Sequence, residues 1–262
     1  MKNTFPKETC MKNISNWSQY CNDAVYKGLY NETISSLVSK IFIITSQSPL
    51  SPPFESLKHA MKEHSIPFHY PLEYIEGLSM DLDNYHYQSL EELVLYCYRS
   101  SSTIQLMKSH VKGITNERSL ESIKDLAISI QLAQITYNLK KCYRRGRCYI
   151  PDELLNKYEV TKEEVFHKNN QDKLHLITQD LISLANEFYQ SGIKDLSCLP
   201  VSIALDLFIQ ARLQLMSGPR WMIILQSSLF YFINFYPQKL NHRYQSSHQV
   251  KPVRFKYHRK FV

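Results

Sequence analysis

Apolar residues recur three and four positions apart in segment after segment of this chain, and few runs alternate in the way a half-buried strand requires. Leu72, Ile75, Leu78 and Leu82 form one such series; Trp17, Cys21, Val25 and Leu29 form another; Leu176, Leu181, Leu184 and Phe188 a third. This rhythm places one face of each segment inward only if the segment is a helix. With six glycines in 262 residues and many Leu, Ile, Lys and Glu, the composition favours the same state. The expected fold is all-α: a single-domain bundle of roughly eight helices.

Local signals divide the bundle. Asn16 to Tyr30 reads as a helix stopped near Asn31, Ile41 to Ile44 as a short apolar run, and SPLSPPF as a loop or kink. Ser89 with Glu92 has the form of a capping box, Thr115 or Asn116 opens a long helix that Pro151 ends, and Thr161 with Glu164 caps a short helix. Pro200 opens a further helix, Val201 to Met216. Gly77, inside a helical pattern, costs about 1 kcal/mol relative to Ala and so implies a packing or ligand reason.

The net charge of +7 is a property of one end: from Leu207 onward there are nine Lys/Arg and no Asp or Glu, leaving 22 Lys/Arg against 24 Asp/Glu before it. A solvated basic tail is the expectation, with peripheral membrane association open and no nucleic-acid partner. The window Trp221 to Pro237 is too short and too polar for a confident membrane span and reads as a core helix. Six cysteines without a C-x-x-C pair, and no N-terminal apolar stretch, point to reduced thiols and a cytoplasmic location. The ten histidines show no H-E-x-x-H and no Cys/His cluster, so no zinc site is expected.

Chemistry concentrates in QLAQITYNLKKCYRRGRCYIP, Gln131 to Pro151. On a helix Gln131, Gln134, Asn138 and Cys142 share a face within about 80°, a polar stripe without charge. It runs into the basic turn Arg144-Arg145-Gly146-Arg147, where Arg suits bidentate phosphate contacts and where a helix C-terminus also favours cations on its own account. Glu117, Glu121 and Asp125 share another face, beside Arg118 and Lys124, and read as a solvated charged surface.

Four ordered segments carry a family resemblance: YPLEYIEGLSMDL (Tyr70 to Leu82), YCYRSSSTIQLM (Tyr96 to Met107), QLAQITYNLKKCYRRGRCYIPDELL (Gln131 to Leu155) and FYQSGIKDLSCLPVSIAL (Phe188 to Leu205). In them the chain resembles the squalene/phytoene synthase family, most closely its bacterial phytoene synthases. The resemblance implies an isoprenoid-synthase bundle around a central cavity over residues 16–240, after a short lead at 1–15 and before a basic tail at 241–262. It also implies a transferase that joins two geranylgeranyl diphosphates head to head into phytoene, with magnesium neutralising the departing diphosphate.

The same comparison marks departures. The family's second aspartate motif falls on Gln131, Gln134, Asn138 and Cys142, so both of its aspartate positions are degenerate, at Asn138 and Cys142. The first is expected ahead of WSQYCNDAVYKG, where no Asp precedes Trp17, and its helix is expected to be missing. Ser101, Ser102 and Gln105 stand at small-residue positions along the prenyl path. Arg145, Arg147 and Tyr149 match the diphosphate-side turn, and Glu76 and Asp81 are the acids left as metal ligands. Two readings stay open: an impaired phytoene synthase, or a non-catalytic homologue that binds lipid or assists assembly.

Overall fold

The computed structural model describes residues 6–29, 32–46, 48–82 and 86–195, together with 199, 203, 204 and 209. Among these there are nine α-helices and no strand. They are α1 (Lys7–Lys27), α2 (Ile34–Ile43), α3 (Pro52–His64), α4 (His69–Ser79), α5 (Leu90–Cys97), α6 (Thr103–Val111), α7 (Glu117–Tyr143), α8 (Asp152–Lys157) and α9 (Gln171–Ile193). The expected helix Val201 to Met216, the apolar window Trp221 to Pro237 and the tail 241–262 lie outside the described residues. Among the described residues no helix is long and apolar enough to cross a membrane.

Several boundaries move from their expected places, each for a local reason. α1 begins at Lys7, inside the expected lead. Its inward stripe is Cys10, Ile14, Trp17, Cys21 and Ala24, while Leu29 lies exposed beyond the helix. Gly28 ends it in the left-handed conformation (φ 61°), donating its N–H to the Asp23 carbonyl. The Ile41–Ile44 run is the end of α2, whose Thr33 cap accepts from the Ser36 N–H at 3.1 Å. In SPLSPPF the chain is irregular only to Ser51, because Pro52 and Pro53 occupy the first helical positions of α3, where a missing N–H costs nothing. Thr161 accepts from Glu164 and Val165 in a run of turns and caps no helix. On α9 Leu174, Ile177, Leu181, Leu184 and Tyr189 face inward, whereas Leu176 is exposed and Phe188 half-buried.

Two expected starts are observed. Ser89 Oγ accepts from the Glu92 N–H at 3.3 Å, with the Glu92 carboxylate returning to the Gln88 N–H at 2.7 Å. Asn116 Oδ1 accepts from the Ser119 N–H at 2.9 Å and opens α7. Between α5 and α6 the helix widens into a π-helical turn, Tyr98–Ser102. Gly77 of α4 meets that turn: a Cβ there would lie 2.8 Å from Arg99 Cβ and 3.0 Å from the Arg99 backbone, so its absence permits the close approach.

The buried side chains form two clusters. One gathers α1, α2, α3, α4, α6, the first half of α7 and the end of α9 at Tyr189; the other gathers α5, the second half of α7, α8 and the rest of α9. The chain passes from the first to the second between Leu78 and Met80, just before Asp81. Asp81 therefore lies at the seam.

His110 gives the first cluster a pH dependence. It is 8% exposed, its ring is 5.9 Å from that of Tyr70, and neither ring nitrogen has a hydrogen-bond partner among the described residues. Burial, with the neighbouring His69, pulls its pKa below the ordinary value; burial does the same to His69. Below about pH 6.5 the unfolded chain thus binds more protons than the folded one, and stability falls as pH falls, by at most about 1.4 kcal/mol per pH unit for each proton. Urea midpoints should drop between pH 7 and pH 5, and His110→Leu should flatten the profile. A profile that His110→Leu leaves unchanged would show that the acid sensitivity comes from other groups.

Candidate functional site

The end of α7 is set by glycine rather than by Pro151. Gly146 (φ 79°) donates to the Tyr143 carbonyl at 2.9 Å and Arg147 to the Cys142 carbonyl at 3.0 Å, the paired bonds of a Schellman ending. The reversal turns Arg147 and Tyr149 back towards the bundle and leaves Arg145 exposed. Residues 86–88 then meet the start of α8: Tyr87 and Gln88 carbonyls accept from the Asp152 and Glu153 N–H groups at 2.9 and 3.1 Å, and Glu153 accepts from the Leu90 N–H at 2.9 Å. These bonds satisfy first-turn donors of α5 and α8 together and hold Tyr87 against Tyr149.

On this scaffold four tyrosines surround Asp81. Tyr26 from α1 and Tyr96 from α5 each donate to Asp81 Oδ2 at 2.9 Å, and the Tyr149 hydroxyl reaches Oδ1 at 2.8 Å and Oδ2 at 2.9 Å. Arg147 Nη1 stands 3.6 Å from Oδ2, its guanidinium 4.3 Å from the centre of the Tyr26 ring. The Tyr96 and Tyr149 rings stack at 5.4 Å, and Tyr87 stacks on Tyr149 at 5.9 Å. Only 4% of the Asp81 side chain is exposed, so its charge is balanced inside the protein. Burial first, and then the Asp81 carboxylate, push the Tyr96 and Tyr149 hydroxyls above the usual phenol range. They stay protonated and act as donors.

The other expected site residues divide by position. Cys142 is half-buried and close enough that Arg147 and Asp81 both act on it; burial, the larger cause, pushes its thiol up. Asn138 is half-buried and gives its side-chain N–H to the Gln134 carbonyl of its own helix at 2.8 Å. Gln131 is half-buried and Gln134 exposed. Ser102, expected along the prenyl path, is fully buried and its hydroxyl donates to the Lys124 carbonyl at 2.9 Å, tying the π-helical turn to α7. Ser101 and Gln105 are half-buried, and the Gln105 carbonyl accepts from Ser109 at 2.7 Å.

Glu76 and Asp81 have different partners. Glu76 pairs with Arg99 at 2.5 Å, half-exposed, while Asp81 holds the tyrosines. Glu73, one turn before Glu76, is a further acid near Arg99; burial holds its carboxyl above the ordinary range, against the pull of the Tyr98 hydroxyl and Arg99. On the charged face of α7, Glu117 and Glu121 are exposed as expected, but Asp125 accepts from Ser191 of α9 at 2.6 Å.

Of these residues Asp81, Arg147 and Tyr149 are among those the sequence singles out, and Tyr26, Tyr87 and Tyr96 are not. Tyr96 opens the segment YCYRSSSTIQLM, and 18 tyrosines in the chain are a compositional signal. Their convergence on one carboxylate depends on three separate elements.

Comparison with known proteins agrees with this order of segments. The squalene/phytoene synthase family model matches residues 20–215. The 15-cis-phytoene synthase of Enterobacter agglomerans is 25% identical over 201 residues, covering 72% of this chain and 68% of that protein. That of Pantoea ananas is 28% identical over 153 residues, covering 58% and 50%. Across four bacterial relatives the chain spans about half to two thirds of their length. A dehydrosqualene synthase crystal structure superposes with a TM-score of 0.73 over 88% of this chain and 89% of that one, at 15% identity. A squalene synthase from Alicyclobacillus acidocaldarius gives 0.59, covering 86% and 97%, also at 15% identity. The likeness to these structures shows the isoprenoid-synthase fold, and the family model spans most of the sequence, so the chain belongs to the squalene/phytoene synthase family.

Proposed function

We propose that this protein binds a prenyl diphosphate of the geranylgeranyl type on the Arg145–Arg147 side of the Asp81 cluster, and that it is impaired in joining two of them into phytoene. The observation that carries this reading is the commitment of Asp81 to three phenols and Arg147, next to a thiol at Cys142. Magnesium requires near-octahedral oxygen ligation at about 2.0–2.1 Å. Asn138 offers a neutral amide whose N–H already bonds its own helix, Cys142 is a soft donor, Asp81 Oδ2 accepts from three phenols, and Glu76 pairs with Arg99. This donor set does not fit magnesium.

What remains is suited to holding an anion. Arg145 is exposed and Arg147 half-buried at the same turn, and their guanidinium groups suit bidentate contacts with phosphate oxygens. The phytoene synthase names of the relatives support geranylgeranyl diphosphate as the ligand to try first. Binding without turnover is what a lipid-binding homologue would do, and the committed state of Asp81 favours that second reading.

The test is phytoene formation by the purified chain from geranylgeranyl diphosphate and magnesium. The expected result is no product above background; product that disappears in Asp81→Asn would overturn the reading. Asn138→Asp with Cys142→Asp restores carboxylates at i and i+4 and should strengthen binding of a non-hydrolysable diphosphate analogue by about tenfold with magnesium, an effect abolished by chelator. Equal binding with and without magnesium would show that this face is not a former metal face.

A further inference from the structure

We propose that Cys10, Glu63 and His64 form a zinc site that fastens the start of α1 to the end of α3. The sequence gives no hint of it, because 53 residues separate the thiol from the carboxylate. In the structure their ligand atoms all lie within 4.8 Å of one another, with Cys10 Sγ 3.8 Å from Glu63 Oε2. Cys10 is fully buried. His64 Nε2 is buried too and has no hydrogen-bond partner among the described residues, a polar atom that a metal bond would satisfy.

The backbone explains how adjacent residues can serve one ion. His64 is the last residue of α3, and Ser65 follows in the left-handed conformation (φ 50°) with its N–H on the Met61 carbonyl. At a helix end the two side chains retain the freedom to converge, whereas mid-helix neighbours point about 100° apart. The first turns of α1 lie alongside α3 there, with Cys10 and Ile14 on the buried face of α1 and Ala60 and Met61 on that of α3.

The donor set selects the ion. Thiolate and imidazole suit borderline-soft zinc, with the carboxylate as third ligand and water in the fourth tetrahedral position. With zinc–ligand bonds of about 2.0–2.3 Å, ligand atoms in such a site stand about 3.3–3.8 Å apart, so the three groups need to draw in by about 1.5 Å at most. Zinc would displace the Cys10 proton to solvent and leave a thiolate bound, with no change of oxidation state. Burial and the Glu63 carboxylate otherwise hold that thiol above its usual range. Tyr26 is sixteen residues further along α1, about 24 Å away along the helix axis, so the site is separate from the Asp81 cluster and independent of its proposed role.

The experiment is zinc titration of the full chain against a chromophoric chelator, with thermal unfolding and cobalt(II) substitution alongside. The expected result is one zinc per chain, a higher melting temperature with zinc, and a thiolate-to-cobalt absorption band. Cys10→Ser should abolish the band, and Cys10→Ser and His64→Gln should each weaken zinc binding by at least about tenfold. Cys148→Ala should leave it unchanged. Should Cys10→Ser fail to fold, His64→Gln decides, since His64 is only half-buried at a helix end. Absence of zinc uptake at micromolar free metal, or uptake that survives His64→Gln undiminished, would overturn the proposal.

Discussion

Replacing Asp81 with alanine is expected to destabilise the protein by about 3 kcal/mol. The carboxylate accepts from Tyr26, Tyr96 and Tyr149 and faces Arg147. Hydrogen bonds to a charged group contribute about 1.5–3 kcal/mol each, but their loss is not additive here, because Tyr96 and Tyr149 stand 3.3 Å apart and can bond one another. Arg147 keeps 36% of its side chain exposed and can turn to water, which removes most of the penalty of leaving a buried charge unpaired. The tyrosine hydroxyls on the buried side then dominate the loss. Asp81→Asn, which keeps an acceptor oxygen in place, should cost less than half as much. Equilibrium urea unfolding measures both. A loss below about 1 kcal/mol for Asp81→Ala would mean that the tyrosines do not depend on this carboxylate. Spectroscopic titration provides a second readout: removing Asp81 should lower the pKa of Tyr96 and Tyr149 while leaving them raised, since burial is the larger cause.

The parts of this molecule legible in its sequence are those fixed by neighbours in the chain. The Ser89 and Asn116 caps are short-range hydrogen bonds, and the helical period of α4 follows from one element's need to bury a face. Pro52 and Pro53 misled because proline both breaks a helix interior and favours a helix start, and only the following buried Phe54 and Leu57 distinguish the two. Pro151 misled in the converse way: it closes a turn that Gly146 had already made, and then begins α8. The π-helical turn has no periodic signature in five residues; it is visible only through Gly77, whose missing Cβ admits Arg99. At the site, the resemblance singled out Asp81, Arg147 and Tyr149 but not the other phenols that bond Asp81. Its tyrosine partners come from α1, from α5 and from beyond α7, and nothing local links Tyr26 to a carboxylate 55 residues later. Ser102 shows the same limit, since its hydrogen bond to the Lys124 carbonyl joins the π-helical turn to α7 across 22 residues.

Trp17→Ala is expected to cost about 3–5 kcal/mol, the range for removing a large buried aromatic, and so to consume a large part of an ordinary domain's stability. Trp17 is fully buried in α1, and its ring meets Phe54 of α3 edge-on at 6.2 Å and Tyr74 of α4 at 5.3 Å. Three helices thus converge on one side chain. Cys21 below it and Ile14 above it are also fully buried, so neither can swing in to fill the space, and the surrounding helices would have to shift. Such a shift would carry α1, and with it Tyr26, out of register with Asp81. The substitution should therefore be felt at the far end of the helix, as a change in the ultraviolet absorption of the buried tyrosines as well as in the urea midpoint. Trp17→Phe retains the contact with Tyr74 and should cost less than half as much. If Trp17→Ala lost under 1 kcal/mol, the packing of α1 against α3 and α4 would be wrong, and Tyr26 could no longer be assigned to the Asp81 cluster.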